Sequence, residues 1–270
     1  MSLKVKDIKN LMERLAPVNL SEDYDNVGLM VGSLEDEVSN ILIALDCTLQ
    51  VIKEANAKHC NFIITHHPLL FVKPNSITDE TLIGKKIIEL TKNNIALYSA
   101  HTNLDAAKGG LNDIFIEILG FDDYSVMEVN NINNGFGEDG IGRIATLPSP
   151  CTLIEVCNNI KDKLKVKGLR FIGDESKLIR KVAVVNGSGE DFYEAALSLG
   201  ADLIITGDTK YHNSSDFNEM SMAIIDAGHF ETEWPAMRIF ANKIKNELTD
   251  LNISNSVIIS EACKPIYKYL

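Results

Sequence analysis

Cationic residues, cysteine pairs and long apolar runs are all scarce in this chain. Its 270 residues contain 26 Lys and Arg against 38 Asp and Glu, which gives a net charge of −12. This balance argues against broad binding to nucleic acid or to an anionic membrane, because both need clustered cations. No apolar run approaches the roughly 20 residues that cross a bilayer. These absences leave a local binding site, including one for a nucleotide, as the kind of function that the composition permits.

The five cysteines indicate neither a disulfide framework nor a thiolate zinc site. Their number is odd and none stands in a Cys-x-x-Cys pair: Cys47, Cys60, Cys151, Cys157 and Cys263. Unpaired thiols are typical of the reducing cytoplasm. The segment MSLKVKDIKNLMERL predicts an amphipathic helix and not a signal peptide, since Lys and Glu interrupt any apolar core. We therefore expect a cytoplasmic protein without a membrane span.

Short apolar runs alternate with helical patterns along the chain. This alternation predicts an α/β fold with mostly parallel sheets. A helix is predicted around 153–164, after a short strand at 142–147. The other runs that predict strands are 41–45, 62–64, 95–98, 182–185, 203–205, 223–225 and 257–259.

Two stretches of the sequence resemble each other, which indicates an internal duplication. NILIALDCTLQVIKEANAKHCNFIITHHP (40–68) aligns with RKVAVVNGSGEDFYEAALSLGADLIITGDT (180–209), so that FIITHH falls on LIITGD. The next strand in each copy leads into a histidine followed four residues later by an acid: His101 with Asp105, and His229 with Glu233. We therefore predict two similar α/β halves, 1–127 and 151–270, separated by an Asn- and Gly-rich loop and linker at 128–150.

Histidines and acids lie where several predicted strands end. His66 and His67 follow the strand at 62–64, and the two His-x-x-x-acid segments follow later strands. Because ligands collect at the carboxyl ends of parallel strands, we expect these side chains at one rim. Imidazole and carboxylate suit Zn, Mn, Fe, Co or Ni, and five ligands exceed what one catalytic ion usually takes from protein. The pattern therefore predicts a dinuclear site with two divalent metal ions per subunit.

Further residues are candidates for supporting roles around these metals. His101 is either a ligand or, as we favour, a residue that orients a ligand or moves protons. His212 is a second candidate for proton transfer, or else a solvated loop residue. Asp208 matches His67 in the repeat and is predicted to contact a metal ligand and not the metal itself. Asp46 either lies near the site as well or caps the helix that follows it.

Taken together, these motifs resemble the Nif-three-like dinuclear-metal proteins, the family of GTP cyclohydrolase I type 2 homologues. The matching stretches follow in the family's order over nearly the whole chain: YDNVGLMVG, ITHHPLLF, SAHTNLD, GIGRIATLP, ITGDTKYH and GHFETE. This chain has Tyr24 where the family often has Trp, and Asp208 where it often has Glu. The resemblance implies five metal ligands: His66, His67, Asp105, His229 and Glu233.

The resemblance also implies an assembly and a reaction. The 128–150 segment has no room for the domain inserted in longer members, which implies the short form, arranged as a ring-shaped homohexamer. The implied substrate is GTP: metal-activated water would attack C8 of the guanine, release formate and form dihydroneopterin triphosphate. Arg143 and Lys210 are candidates for contacts with the phosphates.

Two alternatives to this reaction stay open at the level of sequence. A dinuclear phosphoesterase or amide hydrolase would keep the metals and cleave a different bond. A non-enzymatic metal-binding adaptor or metal-insertion protein would keep the metals and have no substrate. Parallel assays for formate, phosphate and amine release distinguish these functions.

Overall fold

The computed structural model describes residues 2–129 and 139–268. No helix in these ranges has the length and hydropathy of a bilayer-spanning segment. The chain divides into two compact units, each assembled from separate stretches of sequence. Unit 1 consists of Met1–Ala107 and Met237–Lys264, and unit 2 consists of Lys108–Ala236 and Pro265–Leu270.

Strands and helices alternate along most of the chain. The strands are β1 (Gly28–Val31), β2 (Ile41–Ala44), β3 (Phe62–Thr65), β4 (Ala96–Ser99), β5 (Tyr124–Val129), β6 (Gly140–Thr152), β7 (Arg170–Ile172), β8 (Leu178–Ser188), β9 (Leu203–Gly207), β10 (Ala223–Asp226) and β11 (Val257–Ile259). The helices are α1 (Val5–Leu15), α2 (Leu49–Ala57), α3 (Leu82–Lys92), α4 (Thr102–Ala106), α5 (Leu111–Ile118), α6 (Leu153–Leu164), α7 (Tyr193–Ser198), α8 (Tyr211–Glu219) and α9 (His229–Asp250). Short 3₁₀ turns lie at Val18–Leu20 and Glu190–Phe192.

The sheet of unit 1 is mostly parallel, as predicted. Its strand order is β1-β4-β3-β2-β11, and only the edge strand β1 pairs antiparallel with its neighbour among the described residues. Strands β2, β3 and β4 are apolar on both faces and fully buried. Leu42, Ile63 and Leu97 of these strands share a core with Val51 of α2 and Leu90 of α3. Burial of both faces explains why these strands were visible as continuous apolar runs.

The sheet of unit 2 is mixed, and here the prediction of a mostly parallel sheet is wrong. Its strand order is β5-β6-β8-β9-β10-β7, in which β8, β9 and β10 run parallel to one another. The pairings β5–β6, β6–β8 and β10–β7 are antiparallel. Antiparallel neighbours need no crossover helix between them, so an alternation of strand and helix along the sequence cannot reveal them.

Most of the predicted elements are confirmed. Each predicted apolar run overlaps a strand, and the helix predicted around 153–164 is α6. That helix has a capping box, in which Thr152 and Glu155 satisfy each other's backbone N–H groups. The edge strands β1, β5 and β7 were not predicted, because β1 is a short run that is mostly half-buried and β5 and β7 include polar or exposed residues.

Parts of the segment predicted as loop and linker, 128–150, belong to strands. Strand β5 extends to Val129 and β6 begins at Gly140, so the strand predicted at 142–147 lies inside β6. Residues 130–138, with most of the Asn- and Gly-rich sequence, lie outside the described residues. The predicted halves are continuous in sequence, whereas the chain passes from unit 2 to unit 1 within the continuous helix α9.

Each unit contains one copy of the repeated pattern. The order β2-α2-β3-α3-β4-α4 in unit 1 corresponds to β8-α7-β9-α8-β10-α9 in unit 2. Equivalent backbone hydrogen bonds close the ends of the paired strands: Ala100 N to Thr65 O, and Ala227 N to Thr206 O. In unit 1 the strand register pairs Ile41 with Phe62, and in unit 2 it pairs Val182 with Leu203. If these two pairs are equivalent, Asp46 of unit 1 corresponds to Gly187 of unit 2. The sequence alignment matched Asp46 with the neighbouring residue instead.

Candidate metal-binding residues

His66 and His67 lie in a tight turn that follows β3. Thr65 Oγ1 donates to the carbonyl oxygen of His67 at 2.9 Å, and His67 N donates to Leu45 O at 3.0 Å. Side chains of a continuing strand would point to opposite faces, but this turn ends the strand first. The two imidazole centroids are therefore only 5.1 Å apart. His66 is buried and His67 is half-buried.

Both imidazoles of this pair use Nδ1 in a hydrogen bond to an oxygen. His66 Nδ1 lies 2.8 Å from the carbonyl oxygen of Ala100, and His67 Nδ1 lies 2.9 Å from Asp46 Oδ1. A carbonyl and a carboxylate can only accept, so each Nδ1 carries the proton. The remaining lone pair is then on Nε2, which is how second partners orient histidines that bind metals.

Asp46 therefore contacts His67, and the helix cap is formed by another residue. The N-cap of α2 is Thr48, whose hydroxyl accepts from Val51 N at 3.1 Å. The Asp46 side chain is 53% exposed, so its carboxylate faces both His67 and solvent.

His101 has a carboxylate partner that the sequence analysis missed. Its Nδ1 lies 3.0 Å from each carboxylate oxygen of Asp25, a residue 76 positions earlier in the chain. Thr102 donates to Asp25 Oδ2 through its backbone N–H at 3.1 Å and its hydroxyl at 2.6 Å. Burial alone would raise the pKa of Asp25, but the hydrogen bonds from His101 and Thr102 outweigh it and lower the pKa to about 2. The YDN motif was the available signal for this residue.

The structure brings the histidines of unit 1 into one cluster. One nitrogen from each of His66, His67 and His101 lies within 4.8 Å of the others, a spacing that could hold a metal ion. Asp105 lies beside this group, with its Oδ1 3.6 Å from His66 Nε2. Its position in α4, four residues after His101, places it one helical turn further on the same face. His101 thus lies among the predicted ligands.

The second candidate group lies at the start of α9 in unit 2. His229 and Glu233 are four residues apart on this helix, and His229 Nε2 lies 3.1 Å from Glu233 Oε2. His229 Nδ1 lies 2.9 Å from Asp208 Oδ2, so Asp208 accepts from His229 as Asp46 accepts from His67. Asp208 follows β9 in the left-handed backbone region, at φ 52°. Glu233 is buried, with 3% of its side chain exposed.

Gly187 makes room for the Glu233 carboxylate. It has a φ of 64°, and a Cβ at this position would overlap Glu233 Oε1 and lie 3.6 Å from His229 Cε1. Its backbone N–H donates to Thr232 Oγ1 at 2.9 Å, which fixes the end of β8 against the first turn of α9. The sequence gave no sign of this contact.

Gly207 explains why unit 2 has no second histidine pair. In the repeat it occupies the position of His66. A Cβ on Gly207 would lie 2.6 Å from His229 N and 2.8 Å from Gly228 C, because the backbone that starts α9 passes directly over it. The helix start therefore excludes any side chain at this position.

His212 does not join the His229 group by any contact that we find in residues 139–268. It is exposed on α8, and its ring centroid lies 5.4 Å from that of Tyr211.

The phosphate contact predicted for Arg143 is wrong. Its guanidinium is buried, pairs with Asp113, and donates to the carbonyl oxygens of Gly140 and Gly142 at 2.7 and 2.8 Å. Lys210 is exposed and pairs with Glu190 at 3.0 Å.

The cysteines are free and are poor thiolate ligands. No disulfide joins any of the five. Burial raises the pKa of Cys47 to about 12 and those of Cys60, Cys157 and Cys263 to about 11. Protonated thiols do not ligate metals or attack substrates, which leaves imidazoles and carboxylates as the donors in both units.

Comparison with known proteins identifies the family. The sequence model of Duf34/NIF3 (NGG1p interacting factor 3) matches residues 3–265. The chain belongs to the NIF3 family. This NIF3 chain is 52% identical to a Clostridium acetobutylicum protein over 269 residues, covering 100% of both, and 50% identical to a Clostridium perfringens protein over 268 residues, covering 99% and 100%. Both relatives are named GTP cyclohydrolase 1 type 2 homolog. The crystal structure of the Staphylococcus aureus hypothetical protein SA1388 superposes with a TM-score of 0.90 at 27% identity, covering 100% of each chain.

The donor sets of this NIF3 chain fit divalent metal ions. Each unit supplies imidazole nitrogen and carboxylate oxygen, the mixture that Zn, Mn, Fe, Co and Ni accept. In all four histidines of the two groups an oxygen acceptor holds Nδ1, which leaves Nε2 as the nitrogen available for a metal. Gly187 leaves the space that the Glu233 carboxylate occupies beside His229.

Proposed function

We propose that this chain is a metal-dependent hydrolase that binds two divalent metal ions per subunit. The proposed ligands are His66, His67 and Asp105 in unit 1 and His229 and Glu233 in unit 2. The observation that carries this proposal is the common orientation of the imidazoles. Each Nδ1–H is held by a carbonyl or carboxylate oxygen at 2.8–3.0 Å, so Nε2 is the nitrogen that each ring would offer to a metal.

Divalent metal ions in such sites supply Lewis acidity and make water a nucleophile near neutral pH. The side chains of the chain supply orientation and proton transfer. Asp46 and Asp208 accept the Nδ1–H of His67 and His229, so Nε2 is the nitrogen that each ring would offer to a metal. Asp25 holds the Nδ1 proton of His101, so His101 would gain and lose its second proton at Nε2. We propose His101 as the proton carrier, because Asp25 fixes the orientation of its ring through Nδ1.

The proposed substrate is GTP. Support for it comes from the names of the relatives at 52% and 50% identity, which are called GTP cyclohydrolase 1 type 2 homologs. The proposed products are formate, which carries C8 of the opened imidazole ring, and dihydroneopterin triphosphate, which forms when the opened ring closes again through carbons of the ribose with loss of water.

The first experiment measures metal content and product release together. Protein purified without added metal is analysed for bound metal, loaded with Zn, Mn, Fe, Co or Ni in turn, and incubated with GTP. Formate, phosphate and amine are assayed in parallel. We expect formate release that needs metal and is lost in Glu233→Gln. Glu219→Gln, which changes an exposed acid on α8, is the matched control.

Three results would contradict parts of this proposal. Formate release that survives Glu233→Gln would remove Glu233 from the chemistry. Phosphate or amine release without formate would indicate a phosphoesterase or amide hydrolase. Full metal loading without turnover of GTP, phosphoesters or amides would favour the non-enzymatic metal-binding adaptor.

The ring-shaped homohexamer is proposed on the resemblance alone. Light scattering coupled to size-exclusion chromatography measures its mass directly, and a mass below six subunits at working concentration contradicts it.

A further inference from the structure

Two aromatic side chains stand exposed beside the histidine cluster of unit 1. Tyr24 is 66% exposed and Phe71 is 48% exposed. Their ring centroids lie 6.4 Å apart, with the planes at 70°. Phe71 also meets His101 edge to face, with centroids 6.3 Å apart and planes at 83°. Phe71 thus links the ring of Tyr24 to an imidazole of the candidate metal site.

Hydrogen bonds hold the two aromatic loops against each other. Asn26 Nδ2 donates to the carbonyl oxygen of Leu70 at 2.7 Å, which joins the loop of Tyr24 to the loop of Phe71. Asp25, between Tyr24 and Asn26, is anchored to His101. Three consecutive residues therefore have separate roles: Tyr24 presents its ring, Asp25 orients the imidazole of His101, and Asn26 holds the loop of Phe71.

Glu22 adds a further attachment for the first loop. Its backbone N–H donates to Thr102 Oγ1 at 3.0 Å. Thr102 also donates to Asp25, so the loop is fixed on both sides of Tyr24. Aromatic rings on loops that are already ordered lose little freedom when a ligand binds, which favours binding over mere exposure.

We propose that Tyr24 and Phe71 form an aromatic platform that binds the planar heteroaromatic ring of the substrate next to His101. Scattered exposed apolar residues are normal on protein surfaces, but these two rings are paired, anchored and adjacent to the proposed metal ligands. Every base offers a π-face to an aromatic side chain, so the platform recognises the ring and not the phosphates. This inference rests on the proposed function of the same site and names its specificity determinants.

Binding measurements with three probes test the platform. The dissociation constants of GTP, guanosine and inorganic triphosphate are measured by calorimetry on the metal-loaded full chain. The variants are Tyr24→Leu, Phe71→Leu and the double substitution. We expect each single variant to weaken GTP and guanosine binding roughly 10-fold, with triphosphate binding and metal content unchanged. Tyr24→Phe and Phe71→Tyr, which keep the rings, should bind like wild type.

A matched control comes from the other unit. Tyr211 of α8 is 80% exposed, so Tyr211→Leu removes an exposed ring from a helix that carries none of the proposed metal ligands. If Tyr211→Leu weakens GTP binding as much as Phe71→Leu, or if triphosphate binding falls equally, the platform is refuted. A change in oligomeric mass in Phe71→Leu without a change in guanosine binding would assign these rings to a protein interface and also refute it.

The proposed function and the platform fail in different ways. If GTP binds through Tyr24 and Phe71 but no product forms, the platform stands and the hydrolase proposal fails. If formate is released with an unchanged KM in the double variant, the hydrolase stands and the platform fails. If wild type binds neither GTP nor guanosine, nor free purine and pyrimidine bases, with or without metal, the platform is overturned.

Discussion

His67 Nδ1 lies 2.9 Å from Asp46 Oδ1, and this hydrogen bond fixes which nitrogen of His67 carries the proton. We expect Asp46→Ala to weaken metal binding by roughly 10- to 100-fold, because partners of this kind orient metal-binding histidines. Asp46→Asn should have a smaller effect, since its amide oxygen can still accept the proton. Calorimetric titration with Zn²⁺ measures the metal affinity of both variants.

Asp79→Ala provides the comparison for Asp46, because Asp79 is another exposed acid of unit 1. Equal affinities for Asp46→Ala and Asp79→Ala would show that the Asp46 carboxylate does not support the metal site.

Gly187 should be essential for the position of the Glu233 carboxylate. An alanine Cβ at 187 would overlap Glu233 Oε1, so Gly187→Ala must displace that carboxylate. We expect metal affinity to fall by at least roughly 10-fold. The left-handed φ of 64° adds a cost of about 1 kcal/mol in the free energy of unfolding.

Gly200→Ala separates the backbone strain of a left-handed residue from the displacement of the Glu233 carboxylate. Gly200 also has a left-handed φ, of 77°, but a Cβ there meets nothing within 4 Å. This variant should lose stability in urea unfolding and keep its metal affinity. If both variants bind metal equally well, the contact between Gly187 and Glu233 has no role in binding.

Arg143 is expected to act on stability and not on phosphate binding. Its buried guanidinium pairs with Asp113. Removing one partner of a buried ion pair leaves the other charge uncompensated, so Arg143→Met should lower the free energy of unfolding by about 3–5 kcal/mol. Urea unfolding measures this loss, and Arg143→Met with Asp113→Leu should recover part of it. A wild-type unfolding curve with weakened GTP binding would instead support a phosphate contact.

Glu54 should make the stability of unit 1 depend on pH. Burial raises the pKa of Glu54, but hydrogen bonds from Lys58, Ser260 and the backbone N–H groups of Glu261 and Ala262 outweigh it and lower the pKa to about 2. A carboxyl whose folded pKa lies below its unfolded value of about 4.3 stabilises the fold above that pH. This stabilisation is lost as the pH falls from about 4.3 to about 2.

Glu54→Gln should therefore cost about 1–3 kcal/mol in the free energy of unfolding at pH 7. The difference from wild type should shrink as the pH falls from about 4.3 to about 2, the window set by these pKa values. Thermal unfolding across this range tests it, with Glu80→Gln as the matched exposed substitution in the same unit. A difference that stays constant with pH would mean that the Glu54 carboxylate is not held by these hydrogen bonds.

The sequence by itself determined the buried parallel strands and the helix at Leu153–Leu164, and it named the residues that we propose as metal donors. Strands buried on both faces appear as apolar runs, and a capping box marks a helix start within a few residues. The His-x-x-x-acid spacing at His229 and Glu233 likewise fixes two side chains on one helix face. Each of these features depends on neighbours in the chain, so local pattern was sufficient.

Only the tertiary structure decided which atoms support those donors. His101 meets Asp25 across 76 positions, and the backbone that starts α9 excludes a side chain at Gly207. Arg143, which by sequence alone was a candidate for phosphate binding, is buried against Asp113. Contacts of this kind are set by how distant segments pack and by which nitrogen of an imidazole finds an acceptor. Neither the packing of distant segments nor the choice of imidazole nitrogen can be predicted from residue type and spacing along the chain.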